Sequence, residues 1–196
     1  MEQIRTFVAI ELDEAMKSAL GQVQAQLKDA KVSRIGRWVS PDSIHLTLKF
    51  LGNVPVNRVE EIKEAINRAC GSFASFQISL AGPGCFPDVR RPRVIWIGIG
   101  GDLEILIRLQ RSVDSALSSL GFTAEKRGFQ PHLTLARIRD DARPREREEM
   151  GKWVAVAKVD TPVSMMVRKI SLMRSDLQPT GAVYTRLAAI PLRGQQ

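Results

Sequence analysis

The stretch IHLTLKFLGNV at residues 44–54 reads as a β-strand, and its first part, HLTL at 45–48, is written again at 132–135. The chain holds two histidines, His45 and His132, and each opens one copy. Side chains alternate along a strand with period two. In each copy, therefore, His and Thr share one face and the two leucines share the other. Leu46, Leu48, Leu133 and Leu135 are expected in a core. His45 with Thr47, and His132 with Thr134, are expected to point together towards solvent or a cleft.

The segments around the two copies alternate strands with helices. RTFVAIEL (5–12) is β-branched and apolar and reads as a strand. Asp13 can cap the helix that follows, in which Met16, Leu20, Val23 and Leu27 fall at helical spacing. A basic loop (31–43) leads into the first HLTL strand, which Pro55 ends. Residues 56–69 form an amphipathic helix, with Val59, Ile62 and Ile66 on one face. FQISLAG (76–82) and RVIWIGIG (93–100) read as strands joined by a proline-rich loop, PGCFPDVRRP. A helix over 102–122 has Gly121 where a C-terminal cap would sit. After the second HLTL come a charged helix (143–158), a strand (163–176), the turn-rich LQPTG (177–181) and a closing strand (182–192).

The copies lie too far apart for a solenoid, whose periods run roughly 20–50 residues. They point to an internal duplication within a single domain spanning 1–196. Hairpins alternating with helices predict an α+β fold of two similar lobes, each built on an antiparallel sheet with flanking helices. If a pseudo-twofold axis relates the lobes, the two polar pairs can face each other across a groove.

Composition narrows the partner. Of 196 residues, 29 are Lys or Arg against 21 Asp or Glu, a net charge of +8. A surplus of that size favours an anionic partner: nucleic acid, a phosphorylated small molecule or an acidic surface. Acidic Glu2, Glu11, Asp13 and Glu14 break up the N-terminus, so no signal peptide is expected. No apolar run reaches the ~18 residues of a membrane span. The expected location is cytoplasmic. Cys70 and Cys85 form no CxxC pair and are expected as small buried residues without a disulfide.

Two histidines held apart suit phosphodiester hydrolysis. One imidazole takes a proton from water while the other gives one to the leaving oxygen, and histidine titrates close to neutral pH. Threonine hydroxyls can donate hydrogen bonds to non-bridging phosphate oxygens. A zinc site normally takes three or four protein ligands, so two histidines would need carboxylates to complete it. A Ser-His-Asp triad needs one histidine, and no GxSxG is present. A non-catalytic RNA- or nucleotide-binding module would have no use for an acid and a base together.

RTFVAIEL at the start, RWVSPDSIHLTLKFLGNV (37–54) and FQPHLTLAR (129–137) resemble the RNA 2′,3′-cyclic phosphodiesterases, also called 2′-5′ RNA ligases, of the two-histidine phosphoesterase superfamily. The resemblance runs from Arg5 to the closing YTRLAAIPL. It implies two pseudo-symmetric lobes around a central basic groove, and metal-independent hydrolysis of RNA 2′,3′-cyclic phosphate ends to 2′-phosphate ends. His45 would be the proton donor, His132 the proton acceptor, and Thr47 and Thr134 would hold the phosphate. The near-identity of the motifs leaves those two roles symmetric; the family alone breaks the tie. No metal and no cofactor are implied, and the protein is expected to act as a monomer. Some relatives also join tRNA halves through a 2′-5′ linkage, so tRNA fragments are expected among the partners.

The resemblance carries two further positions. Arg137 matches an arginine that binds the phosphate, a task its planar guanidinium suits. Strict alternation would turn it away from His132, so the assignment requires the strand to end or bulge near Ala136. Phe50, the equivalent position after the first motif, could stack on the terminal base; by strict alternation it lies on the leucine face, like a core residue. Arg34, Arg37, Arg90, Arg91 and Arg93 lie in two loops that could grip an RNA backbone. Trp38 and Trp96 are expected to be packing residues.

Overall fold

The computed structural model describes residues 2–125, 128–159, 162–178 and 181–194. β1 (Gln3–Glu11) leads into α1 (Glu14–Lys28), whose first turn is capped by the Asp13 carboxylate accepting from the Met16 amide at 2.9 Å. Then follow β2 (Gly36–Trp38), β3 (His45–Pro55), α2 (Val59–Cys70), β4 (Phe76–Phe86) and β5 (Val94–Gly101). α3 (Leu103–Ser118), β6 (His132–Ile138), α4 (Pro144–Val156), β7 (Ser164–Val167), β8 (Lys169–Gln178) and β9 (Gly181–Pro191) complete the described elements. The fold is α+β, as expected, with two antiparallel sheets in the orders β3-β1-β8-β9 and β2-β6-β5-β4-β7.

Each sheet holds one HLTL strand. α2 and α3 pack on each other and against β9 and β3 of the first sheet; α1 and α4 meet β7 and β4 of the second. Buried side chains from both sheets and all four helices join in one continuous core. All four HLTL leucines belong to it, as the alternation requires. β3 and β6 come within 8 Å of each other between Cα atoms.

Three segments depart from the sequence reading. Part of the basic loop forms β2, which pairs with β6 and becomes the edge of the second sheet. β4 runs on through Pro83–Phe86, which reads as loop in the sequence; the register shift between Leu80 and Pro83 places the proline directly after a bulge, a position where strands accept it. The single strand expected over 163–176 is two. β7 pairs with β4 in one sheet and β8 with β1 in the other, with Arg168 between them. Apolar periodicity alone does not say which sheet a strand joins. The turn LQPTG falls partly outside the described residues, and its Leu177 and Gln178 belong to β8. At the end of α3, Gly121 has φ +90, and the Phe122 amide returns to the Leu117 carbonyl at 3.2 Å. That is the left-handed stop for which glycine is suited.

Candidate active site

The two HLTL strands share one local geometry. The Nδ1–H of His45 donates to the Ser43 carbonyl at 3.1 Å, and that of His132 to the Gln130 carbonyl at 2.7 Å. Each bond reaches two residues back. It fixes the tautomer and leaves Nε2 available for proton transfer. His45, Thr47, His132 and Thr134 are all half-buried.

Each strand then bulges at its second leucine. In the β1–β3 ladder, Ala9 pairs with Thr47 and Val8 with Lys49, so Leu48 is the extra residue. In the β5–β6 ladder, Trp96 pairs with Thr134 and Ile95 with Ala136, so Leu135 is extra. A bulge shifts the alternation by one. Lys49 and Ala136 turn inward, and Phe50 and Arg137 return to the histidine face. The bulge required for Arg137 is present, one residue before Ala136. The core position that strict alternation gives Phe50 is corrected: its side chain is 65% exposed.

Behind His45, the non-core face of the first sheet carries a small apolar cluster of Phe7, Ala9 and Met173, with Tyr184 packed on it. Phe7 stacks on the imidazole with ring centroids 4.6 Å apart, and Tyr184 meets it edge-on at 4.9 Å. Phe50 is 6.1 Å from Phe7. Around His132, Phe86 lies edge-on at 4.9 Å and Trp96 at 6.3 Å. Trp96 lies directly against Gly84, its partner across the β4–β5 ladder; a β-carbon there would stand 2.3 Å from the indole ring. Phe7 and Glu11 were legible in part: with Val8 and Ile10 inward, period two places both on the histidine face. Tyr184, Phe86 and Arg186 were not, because they come from strands distant in sequence.

The electrostatics around the two histidines differ. Burial pushes His45 below the usual histidine value; the Ser43 carbonyl and the Glu11 charge pull the other way. Glu11 is Cα-paired with His45 across the β1–β3 ladder. Burial alone would raise its pKa, but hydrogen bonds from Arg186 and Ser171 outweigh this and lower it. Arg186 reaches both Glu11 oxygens, at 2.8 and 2.9 Å. A cavity of about 440 Å³ opens beside His45, walled by Glu11, Lys17, Asp42, Met165, Tyr184 and Arg186.

Arg137 is exposed at the end of β6, and its partner across the β2–β6 ladder is the equally exposed Arg37. Arg34, Arg90, Arg91 and Arg93 are exposed as well, and Arg34 pairs with Glu146 at 3.4 Å. Trp38 and Trp96 are half-buried, the first donating to the Ser33 carbonyl at 3.1 Å. Cys70 and Cys85 are buried free thiols, pushed up to about 12 and about 11, chiefly by burial. That leaves them without thiolate reactivity near neutral pH. Among the described residues, no three His, Cys, Asp or Glu side chains group so as to hold a metal ion. No helix among them is long and apolar enough to cross a membrane.

Comparison with known proteins agrees in sequence and in fold. An RNA 2′,3′-cyclic phosphodiesterase of Methanothermobacter thermautotrophicus is 33% identical over 190 residues, covering 97% of this chain and 100% of that protein. One of Aeropyrum pernix is 37% identical over 170 residues, covering 83% and 91%. A crystal structure from Thermus thermophilus superposes with a TM-score of 0.79 at 28% identity, covering 98% of this chain and 100% of that one. Apo LigT of E. coli gives 0.75 at 26% identity, covering 100% of both. The profile of the 2′-5′ RNA ligase superfamily matches residues 21–179, and with most of the chain spanned in this way the protein belongs to that superfamily.

Proposed function

We propose that this protein hydrolyses RNA 2′,3′-cyclic phosphate ends to 2′-phosphate ends, without a metal, by paired histidine acid–base catalysis. The observation that carries the reading is the repeated local geometry: two histidines, each locked at Nδ1 by a carbonyl two residues back, each beside a threonine and each followed by a bulge. The curated relatives named above bear that activity in their names. E. coli LigT, 25% identical, has been crystallised with 3′-AMP and with phosphate.

In this reading water attacks phosphorus in line with the 3′ oxygen. Nε2 of His132 takes the water proton. Nε2 of protonated His45 gives its proton to the 3′ oxygen as that P–O bond breaks. The products are a 2′-phosphate and a free 3′ hydroxyl. Thr47 and Thr134 donate to the non-bridging oxygens, where charge builds in the transition state. Arg137 neutralises the phosphate, and Phe50 offers its exposed ring to the terminal base. With a 5′ hydroxyl in place of water as the nucleophile, the same ring opening forms a P–O5′ bond as the P–O3′ bond breaks, a 2′-5′ ligation that needs no nucleotide cofactor; tRNA halves are substrates of the right chemistry. Like-charged Arg37 and Arg137 side by side also support an anionic ligand, since direct like-charge neighbours on a ladder are otherwise unfavourable.

The test is a short RNA ending in a 2′,3′-cyclic phosphate, incubated with the protein in excess EDTA, with the end groups resolved. The expected product is a 2′-phosphate, formed by the parent and lost in both His45→Ala and His132→Ala. Turnover only on adding back a divalent metal, or turnover surviving either substitution, refutes the proposal.

A further inference from the structure

The two motifs are nearly identical, yet an acid and a base must differ in protonation at the same pH. A difference in their surroundings raises the share of molecules that hold one histidine charged and the other neutral, and the ladders contain one. Opposite His45 stands Glu11; opposite His132 stands Gly98. Residues directly opposed on an antiparallel ladder lie about 4.5–5.5 Å apart between Cα atoms, and the Glu11 charge acts on the His45 imidazole in favour of its charged form.

We propose that Glu11 is a positioning residue that biases His45 towards the proton-donor role, lying across the ladder from His45 where Gly98 faces His132. The inference rests on the function proposed above. The arrangement is built rather than incidental. Arg186 holds Glu11 through both oxygens and the Ser171 hydroxyl also donates to it, so the carboxylate is kept ionised and fixed at the end of β1. Burial holds His45 below the usual histidine value and so works against an acid there; the Ser43 carbonyl and, after it, the Glu11 charge oppose that.

Other charged groups wall the same cavity. Asp13 is engaged as the cap of α1, and Lys17 pairs with Glu14 at 2.7 Å and Asp42 at 3.8 Å. Lys169 of β8 and Arg186 of β9 act on Glu11, lowering its pKa. Tyr184 presents its ring edge to His45. Glu11 is the carboxylate among these whose charge reaches the imidazole. His132 has Gly98 as its ladder partner and Phe86 and Trp96 as ring neighbours.

With two histidines in the chain, two imidazole Cε1–H signals report the whole question by NMR, and replacing each histidine in turn assigns them. In the full-length protein, Glu11→Gln should move the His45 titration to lower pH and leave the His132 signal unmoved. Arg186→Gln leaves the Glu11 charge uncompensated and should move His45 the opposite way. A structural role would not yield shifts of opposite sign, and Arg186→Gln carries the test alone if Glu11→Gln does not fold. The donor loses its proton as pH rises, so His45 sets the alkaline limb of the pH–rate profile. In Glu11→Gln that limb should move to lower pH while the acid limb stays. A His45 signal unmoved in Glu11→Gln, equal shifts of both histidines, or movement of the acid limb instead would overturn the proposal. Absence of turnover in the parent would refute the function alone, because the NMR titration decides the coupling without it.

Discussion

At the residue scale, the chain places like charges where stability alone would not. Arg37 and Arg137 oppose each other on the β2–β6 ladder and are both exposed. Such a pair costs about 0.2–1 kcal/mol, while a charge-assisted hydrogen bond to phosphate returns about 1.5–3 kcal/mol once a substrate is bound. Stability and function should therefore respond with opposite signs. Arg137→Gln is expected to leave the urea midpoint unchanged or slightly raised, and to lower kcat/KM on cyclic-phosphate RNA about tenfold or more. Arg37→Gln should behave likewise, with a smaller loss that fades as salt rises. A loss of activity matched by a loss of stability would assign the pair to the fold instead. Period two told which of the HLTL side chains are buried. It failed at Phe50 because nothing in LTLKF announces a bulge: no glycine or proline marks Leu48, and the shift shows only in the pairing with β1.

At the element scale, both bulges are supported by a buried glutamine from a helix of the other half of the chain. Gln24 of α1 donates through Nε2 to the Leu135 carbonyl at 3.1 Å and the Val39 carbonyl at 2.7 Å. Gln110 of α3 donates to the Leu48 carbonyl at 3.3 Å. The two are 2% and 4% exposed. The Leu135 carbonyl also accepts from the Val39 amide at 2.9 Å, so Gln24 adds a second donor there and serves the Val39 carbonyl as well; a buried carbonyl left without a partner costs about 1–3 kcal/mol. Gln24→Leu and Gln110→Leu should each lower the unfolding free energy in urea titrations, by up to that amount, despite adding apolar surface. A neutral or stabilising result would show that water or a backbone shift takes over the carbonyl. The helices were readable from their periodicity to within a few residues, and the Asp13 cap and Gly121 stop from residue type. The glutamines were not. In a helix pattern they are ordinary polar positions, and only the crossing of α1 to the second sheet and α3 to the first buries them.

At the scale of the whole molecule, that crossing makes the two halves depend on each other. α1 follows a strand of the first sheet but packs against the second; α3 follows a strand of the second but packs against the first. Duplicated sequence predicted two lobes. It could not show that each lobe is covered by the other's helix, because a hydrophobic stripe carries no address. One buried ion pair concentrates the dependence. Lys49, turned inward by the bulge after the first motif, has a side chain 4% exposed and pairs with Asp114 of α3. It also donates to the Thr123 carbonyl at 2.7 Å, in the segment leading towards His132. The equivalent position in the second strand is Ala136, so this link exists on one side only. Removing one member of a buried pair strands the other and costs about 3–5 kcal/mol, whereas apolar replacement of both is often close to neutral. Lys49→Met and Asp114→Leu should each destabilise by that margin, and the double variant by clearly less than their sum. If the ion pair also holds the approach to His132, the double variant should recover stability but not full kcat, since no apolar pair can offer the Thr123 carbonyl its donor. Recovery of both would reduce Lys49 to a core residue.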